Sequence, residues 1–313
     1  MVPPAAALAV TVLFLSLCVD RIIGDPHSRF HPVALLGRFI GWWGRPSHYS
    51  PKFQRFTGVV MWLVTVALFI LPFFLVSRFA PWYLYILLAP FLLKICFAWR
   101  SLEEHALSVA HALSAGVEEG RQKVQMMVSR DTAQLDKEHI LSAAFESLSE
   151  NLTDSIVAPL FWYTVFGLTG AAGYRASNTM DAMLGYRDER AKIGWFPARM
   201  DDVLTYIPAR ISAALLLLWF ATQGTFAAAY QVMRKDGHKR PGFNGGIVMA
   251  AMAGGCSTRF EKPGVYTLGN GPRPLEEAGP DIIRAARAVT LMLAILAGTA
   301  LILLGGWINY IGI

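Results

Sequence analysis

The sequence predicts an all-α fold: a polytopic integral membrane helical protein with about four to six membrane-embedded helices and helical cytoplasmic segments between them. Three observations carry this prediction. Of 313 residues, 54% are hydrophobic and only 16% charged, whereas soluble domains carry about 25% charge. Apolar runs recur at the length a bilayer demands, about 20 residues of helix. The polar stretches between them show helical period, with Leu102, Ala106, Val109, Ala110 and Leu113 sharing one face before "GVEEG" breaks the pattern.

The embedded segments fall at about 2–19, 57–76, 79–98, 155–173, 203–222 and 288–308, and the chain reads as a single integral membrane domain over 1–313. The first run has no positive leader, and Asp20 follows where a small-residue cleavage site would stand, so it reads as a retained helix. Two runs are interrupted: 155–173 carries Pro159, Gly167, Gly170 and Gly173, and 203–222 carries Pro208 and Arg210. The polar segments 20–56, 99–154, 174–202 and 223–287 are too long for turns, and the chemistry is expected there. By the positive-inside rule the basic 20–56 loop is cytoplasmic, which also places 99–154 inside. A full crossing by 155–173 would put Arg175, Arg187, Arg190, Lys192 and Arg199 outside. A re-entrant path keeps them inside, because irregular backbone is tolerated at depth when protein buries it.

The formal charge of +6 suits anionic lipid or a phosphorylated substrate. No basic helix interleaved with aromatics is present, so no nucleic-acid partner is expected. Cys18, Cys96 and Cys256 form neither a disulfide framework nor a CxxC site.

In "ESLSENLTDSIVAPLF", Glu146, Glu150 and Asp154 recur every four residues and share a helical stripe with Ser147 and Asn151 beside it. Such a stripe could hold Mg2+, which prefers one or two carboxylates with waters and substrate phosphates. The same spacing describes a solvated helix face, with Thr153 or Asp154 capping the next helix. Charge crowds again in "ASNTMDAMLGYRDERAKIGWFPARMDD", where Asn178 and Asp181 lie one turn apart. Such charge between apolar runs must meet itself, water or a ligand. Arg210, inside an apolar run, should pair with a carboxylate, bind an anion or snorkel to the interface.

The first loop, "DRIIGDPHSRFHPVALLGRF", spaces His27 and His31 by four, but its prolines argue against the continuous helix a zinc pair would need. "SRDTAQLD" joins Arg130 to Asp131 as phosphate contact or turn cap. "KRPGFNGG" could cradle an anion without being a Walker A sequence, and Lys262 is either a phosphate partner or a surface charge.

Taken in order, "DRIIGDPHSRFHPVALLGRF", "SRDTAQLD", "ESLSENLTDSIVAPLF", "YRASNTMDAMLGYRDER", "GWFPARMDDVLTYIPAR" and "RPGFNGG" span nearly the whole chain. The sequence resembles the CobD/CbiB family, the adenosylcobinamide-phosphate synthases of cobalamin biosynthesis. It departs from that pattern at Ser129, where the family has Gly, and in the lead-in to Asn244. The resemblance implies a multi-pass prokaryotic cell-membrane ligase with its active site facing the cytoplasm. Its implied partners are adenosylcobyric acid, aminopropanol or aminopropanol phosphate, and the lipid bilayer, with ATP as co-substrate and Mg2+ as cofactor; self-association into a homo-oligomer is left open. On matching positions, Glu146, Glu150 and Asp154 are expected to hold metal. Asp181, Asp202 and Glu150 are expected to be catalytic, with Asp181 or Asp202 accepting the proton of the incoming ammonium. Asp25, His31, Arg38, Arg130, Asp131, Asn151, Asn178, Arg187, Arg199, Asp201, Arg210 and Asn244 are expected to bind substrate or phosphate. A membrane sensor of the AmpE type would not need this full acidic and arginine set. An ion-coupled transporter predicts an internal inverted repeat, and none is visible.

Overall fold

The computed structural model describes residues 4–25, 28–303 and 305. It contains twelve α-helices among the described residues: α1 (Ala5–Ile23), α2 (Pro32–Trp43), α3 (Gln54–Phe79), α4 (Trp82–Cys96), α5 (Trp99–Ala115), α6 (Val117–Gln125), α7 (Lys137–Leu152), α8 (Ala158–Leu184), α9 (Trp195–Thr222), α10 (Phe226–Asp236), α11 (Gly245–Gly255) and α12 (Leu275–Leu303). A two-stranded antiparallel hairpin, β1 (Phe260–Lys262) and β2 (Tyr266–Leu268), interrupts the helical pattern. Six helical stretches are long and apolar enough to cross a membrane. The chain is thus an all-α multi-pass membrane protein. Of the expected embedded segments, residues 2 and 3 of the first, and residue 304 and residues 306–308 of the last, lie outside the described residues, as does His27.

The chain forms two compact units. Unit 1 comprises residues 1–98, 158–204 and 294–313; unit 2 comprises 99–157 and 205–293. In unit 1, α3 spans 26 residues, about 39 Å at 1.5 Å per residue, and only 11% of its most apolar window is buried. Leu63, Leu68, Leu71 and Phe74 stand exposed along it. So much exposed apolar surface on one helix requires lipid as its solvent. The inner face of this unit packs Leu36, Ile40 and Trp43 of α2 against Ala176, Met180 and Leu184 of α8. The Trp62 indole donates to Ser177 Oγ at 3.1 Å, and the Tyr163 hydroxyl donates to the Ala9 carbonyl at 2.8 Å, tying α3 and α1 to α8.

Helix α8 is two arms. Phe166 and Gly167 leave helical geometry, Gly167 with φ +62°. In a continuous helix residues eight apart are separated by about 12 Å. Here a Cβ at Gly170 would lie 2.3 Å from the Trp162 carbonyl oxygen, so the chain reverses direction. Gly167 and Gly170, read in the sequence as interruptions, are the residues that permit this: one supplies the positive φ, the other the close approach.

Unit 2 is built around α7 and α11. All residues of α11 from Val248 to Gly255 are buried, and at 11 residues the helix is too short to cross a bilayer. The hairpin, not foreseen in the sequence, turns at Pro263-Gly264, with the Val265 amide donating to the Lys262 carbonyl at 2.9 Å. Proline presets the first central position of such a turn and glycine takes the positive φ of the second. The turn places Lys262 and Tyr266 opposite one another.

Candidate functional site

Helix α7 is started by Asp136, whose carboxylate accepts from the His139 amide at 2.9 Å. That backbone bond, opposed by slight burial, holds the Asp136 carboxyl below its ordinary value. From this start the four-residue spacing sets Ser142, Glu146 and Glu150 along one face. The helix does not end at the expected Thr153 or Asp154 cap. It widens into a π-helical turn, Thr153–Val157, a feature frequent at functional sites.

Glu146 is buried, with a side chain 6% exposed. Its Oε1 accepts from Ser142 Oγ at 2.7 Å and from Arg130 Nη2 at 3.1 Å, and its Oε2 accepts from the Tyr266 hydroxyl at 2.6 Å. The Ser142 hydroxyl also accepts from the Glu261 amide at 2.7 Å, which fixes the hairpin against α7. One helical turn on, Glu150 pairs with Arg240. Burial works against the Arg240 charge, but Glu150 first, and Asp154 among others, hold the guanidinium above its ordinary value. Burial, and then the adjacent Glu146 carboxylate, push the Tyr266 phenol upward, so it remains a donor through the alkaline range.

The loop that delivers Arg130 is braced from within. The Thr132 hydroxyl bridges the Arg121 carbonyl at 3.1 Å and Gln125 Oε1 at 2.9 Å, and Arg121 Nε donates to the Leu135 carbonyl at 2.9 Å. Asp131 accepts from the Ala133 amide at 2.9 Å, the turn-cap role of the two the sequence allowed. Arg130 itself spends one donor on Glu146, while its buried Nε and Nη1 have no partner in the protein. A cavity of about 320 Å3 opens here, lined by Arg130, Glu146, Glu150, Asn151, Arg240, Lys262 and Tyr266 among others. Three cationic side chains face two carboxylates. The arrangement can accept an anion, and the unspent guanidinium donors suit a phosphate oxygen.

A jointly held cation does not fit the acidic stripe as it stands. Glu146 and Glu150 are each engaged by an arginine, and among the described residues no three His, Cys, Asp or Glu side chains are grouped so as to hold a metal ion. The expected Glu146, Glu150 and Asp154 set is therefore an arginine-facing stripe. Arg210 also lies in unit 2. It stacks over the Tyr206 ring at 3.5 Å and donates to Asn244 Oδ1 at 2.7 Å and to the Phe243 carbonyl at 3.1 Å. Arg210 and Asn244 therefore hold each other, and neither lines the cavity.

The remaining expected residues lie in unit 1, where a different network forms. Lys94, 6% exposed inside α4, approaches Asp25 at 2.6 Å and Asp20 at 3.0 Å and donates to the Phe97 carbonyl at 3.4 Å. His31 stands near this network; burial lowers its pKa, Asp25 opposes the shift, and Lys94 and Arg175 add to it. Arg38 donates to the Arg29 carbonyl at 2.7 Å. Asn178 donates to Asp201 Oδ1 at 3.2 Å, and Arg199 lies 3.8 Å from Asp202. Asp181 is half-buried on the last turn of α8, and Arg187 is exposed just after it.

Sequence reasoning found Arg130, Glu146, Glu150 and Asn151 for the cavity and named Lys262, but did not single out Arg240 or Tyr266. Arg240 stood inside the quoted "KRPGFNGG", where attention went to backbone amides. Tyr266 was signalled only by its distance from the Pro263-Gly264 turn. Lys94 and Asp20 were absorbed into apolar runs.

The family model described as CobD/Cbib protein matches residues 13–292. A protein of Methanothermobacter thermautotrophicus named "Probable cobalamin biosynthesis protein CobD" is 42% identical over 267 residues, 83% of this chain and 87% of its own. One of the same name from Thermococcus kodakarensis is 41% identical over 286 residues, covering 91% and 92%. "Cobalamin biosynthesis protein CobD" of Dehalococcoides mccartyi is 37% identical over 270 residues, covering 84% and 88%. No solved structure matches the chain. With the family model spanning most of its length and relatives covering more than four fifths of it, the chain belongs to the CobD/CbiB family.

Proposed function

We propose that this protein acts in cobalamin biosynthesis as an ATP-dependent acid–amine ligase, joining aminopropanol or aminopropanol phosphate to adenosylcobyric acid. The observation that carries the reading is the buried Arg130 guanidinium, with two unpartnered donors, at a cavity that also presents Arg240 and Lys262. A carboxylate is inert to amines until an oxygen is converted to a leaving group. Transfer of a phosphoryl or adenylyl group from ATP does this, the amine nitrogen then attacks the carbonyl carbon, and phosphate or AMP departs. Charge develops on phosphate oxygens throughout, and fixed guanidinium donors stabilise it without reorganisation. The attacking amine must lose a proton; Glu150 is the acceptor the cavity offers, and Asp181 and Asp202 are those of unit 1. Magnesium enters as the counter-ion of ATP, since the acidic stripe is already engaged by arginines.

Neither adenosylcobyric acid nor any other corrinoid fits whole into a cavity of about 320 Å3, so the cavity is assigned to phosphate and the reacting side chain alone. The test is a reconstituted reaction: purified protein in detergent with adenosylcobyric acid, ATP, magnesium and each amine, read by mass. Formation of the amide with ATP and its absence without ATP support the reading; no amide with either amine removes it.

A further inference from the structure

Unit 2 holds a second polar cavity, about 290 Å3, formed where the end of α9, the end of α11 and the first turns of α12 meet. It shares no lining residue with the Glu146 cavity. Two arginines converge on one carboxylate: Arg273 Nη1 lies 2.8 Å from Asp281 Oδ2, and Arg284 pairs with Oδ1. Arg273 is anchored further, donating to the Glu277 carbonyl at 3.0 Å and the Cys256 carbonyl at 3.3 Å. Asp281 would therefore keep a cation if Arg284 turned away, and the Arg284 side chain is 67% exposed. The cluster carries one positive charge more than its own carboxylate neutralises.

A third group faces the cavity. Thr225 occupies the N-cap position of α10 but makes no capping bond, and its buried Oγ1 has no partner. A buried hydroxyl left unbonded costs free energy and calls for an explanation. Nearby, Ser257 has φ +54°, the one positive φ outside glycine among the described residues, and such strain gathers at functional sites. The cavity also has a thiol, Cys256, but burial first, and Asp281 next, push it up to about 12. It stays protonated and supplies no nucleophile, so the site binds rather than reacts. Trp219 and Phe220 form its wall at the end of the apolar run of α9, where aromatic residues mark the level of lipid headgroups.

We propose that this cavity binds a phosphate group through Arg284, Arg273 and the Thr225 hydroxyl, the phosphate being carried by a membrane phospholipid or by a small free phosphate compound. A guanidinium offers paired donors to such an oxyanion, and the hydroxyl supplies a third.

The test uses the full chain in detergent, stripped of lipid, with two probes: inorganic phosphate, read by equilibrium dialysis, and phosphatidylglycerol, read as retained adducts in native mass spectrometry. Thr225→Val and Arg284→Gln should each weaken binding by roughly tenfold to a hundredfold, the loss of one charge-assisted hydrogen bond, while Arg130→Gln leaves it unchanged. The melting temperature of Thr225→Val without probe should equal or exceed that of the parent, because the hydroxyl it removes is unsatisfied; a merely structural threonine would lower it. Binding of phosphatidylglycerol alone identifies the lipid source and binding of inorganic phosphate identifies the free one. Absence of both from the parent protein, insensitivity to Thr225→Val and Arg284→Gln, or loss only in Arg130→Gln overturns the proposal. None of these outcomes depends on the ligase reaction.

Discussion

Arg130 in unit 2 and Lys94 in unit 1 are both mostly buried cations beside carboxylates, yet they do opposite work. Lys94 has spent its charge: Asp20 and Asp25 lie at 3.0 and 2.6 Å, and the Phe97 carbonyl takes the remaining direction. Arg130 has spent one of its donors on Glu146 and keeps two, pointing into a cavity. The difference lies in capacity left over, not in the number of charges. A cation whose donors are all satisfied within the fold is a fastening between helices. One with unsatisfied donors at a cavity is a binding group, because burial of an unpaired donor is costly unless a ligand repays it.

The sharpest way to break this contrast is to remove each cation. Lys94→Met strands two carboxylates, one of them fully buried, and breaking a buried pair by deleting one partner costs about 3–5 kcal/mol. We expect the variant to melt far below the parent or to fail to accumulate in membranes; an unchanged melting temperature would show that Lys94 is no fastening. Arg130→Gln leaves Glu146 with Ser142 and Tyr266 as donors, so the fold should hold. Two charge-assisted bonds to phosphate are worth about 1.5–3 kcal/mol each, and amide formation should fall by roughly a hundredfold or more. A large drop in melting temperature with activity retained would reverse the assignment of the two residues.

The two regions were unequally legible in the sequence. Helical period and run length gave the membrane helices, and Pro and Gly marked the reversal in α8, because these signals are local. The acidic stripe was legible as a stripe, since four-residue spacing fixes a helix face, but what it faces was not. Arg240 is 90 residues from Glu150 and Tyr266 is 120 from Glu146, and no local pattern encodes such a meeting. That is why three carboxylates suggested a metal when arginines were the partners. Lys94 was hidden for the opposite reason: a single charge within an apolar run reads as tolerated until its partners, Asp20 and Asp25, are seen on another helix and loop.

A finer probe separates the parts of the unit 2 cavity. Tyr266→Phe removes one of three donors to Glu146 while keeping the ring, at a cost of about 1–1.5 kcal/mol, so activity should fall roughly five- to tenfold with little change in structure. The pH dependence has a definite sign. The Tyr266 pKa is raised on folding from the model-compound value of 10.0, so its contribution to stability is complete below pH 10 and is lost as pH rises toward the folded value. Melting curves of the parent should therefore decline more steeply above pH 10 than those of Tyr266→Phe. Parallel curves would mean that the phenol is not held by Glu146 in solution.

The smallest expected effect lies in unit 1, at half-buried His31. Burial, with Lys94 and Arg175 adding their charges and Asp25 opposing them, lowers its pKa below 6.5. The folded protein therefore holds this imidazole neutral at a pH where the unfolded chain already protonates it. Stability linked to His31 is complete above pH 6.5 and falls as pH drops through the folded value, because there the unfolded state binds more protons. Melting temperatures measured in detergent between pH 7.5 and 5 should decline slightly more in the parent than in His31→Gln. A decline of equal slope in both would mean that solvent, not the Lys94 network, sets the charge on His31. The fastening of unit 1 would then end at Asp25, and the loop beyond it would be open to a ligand in the way the Arg130 cavity is.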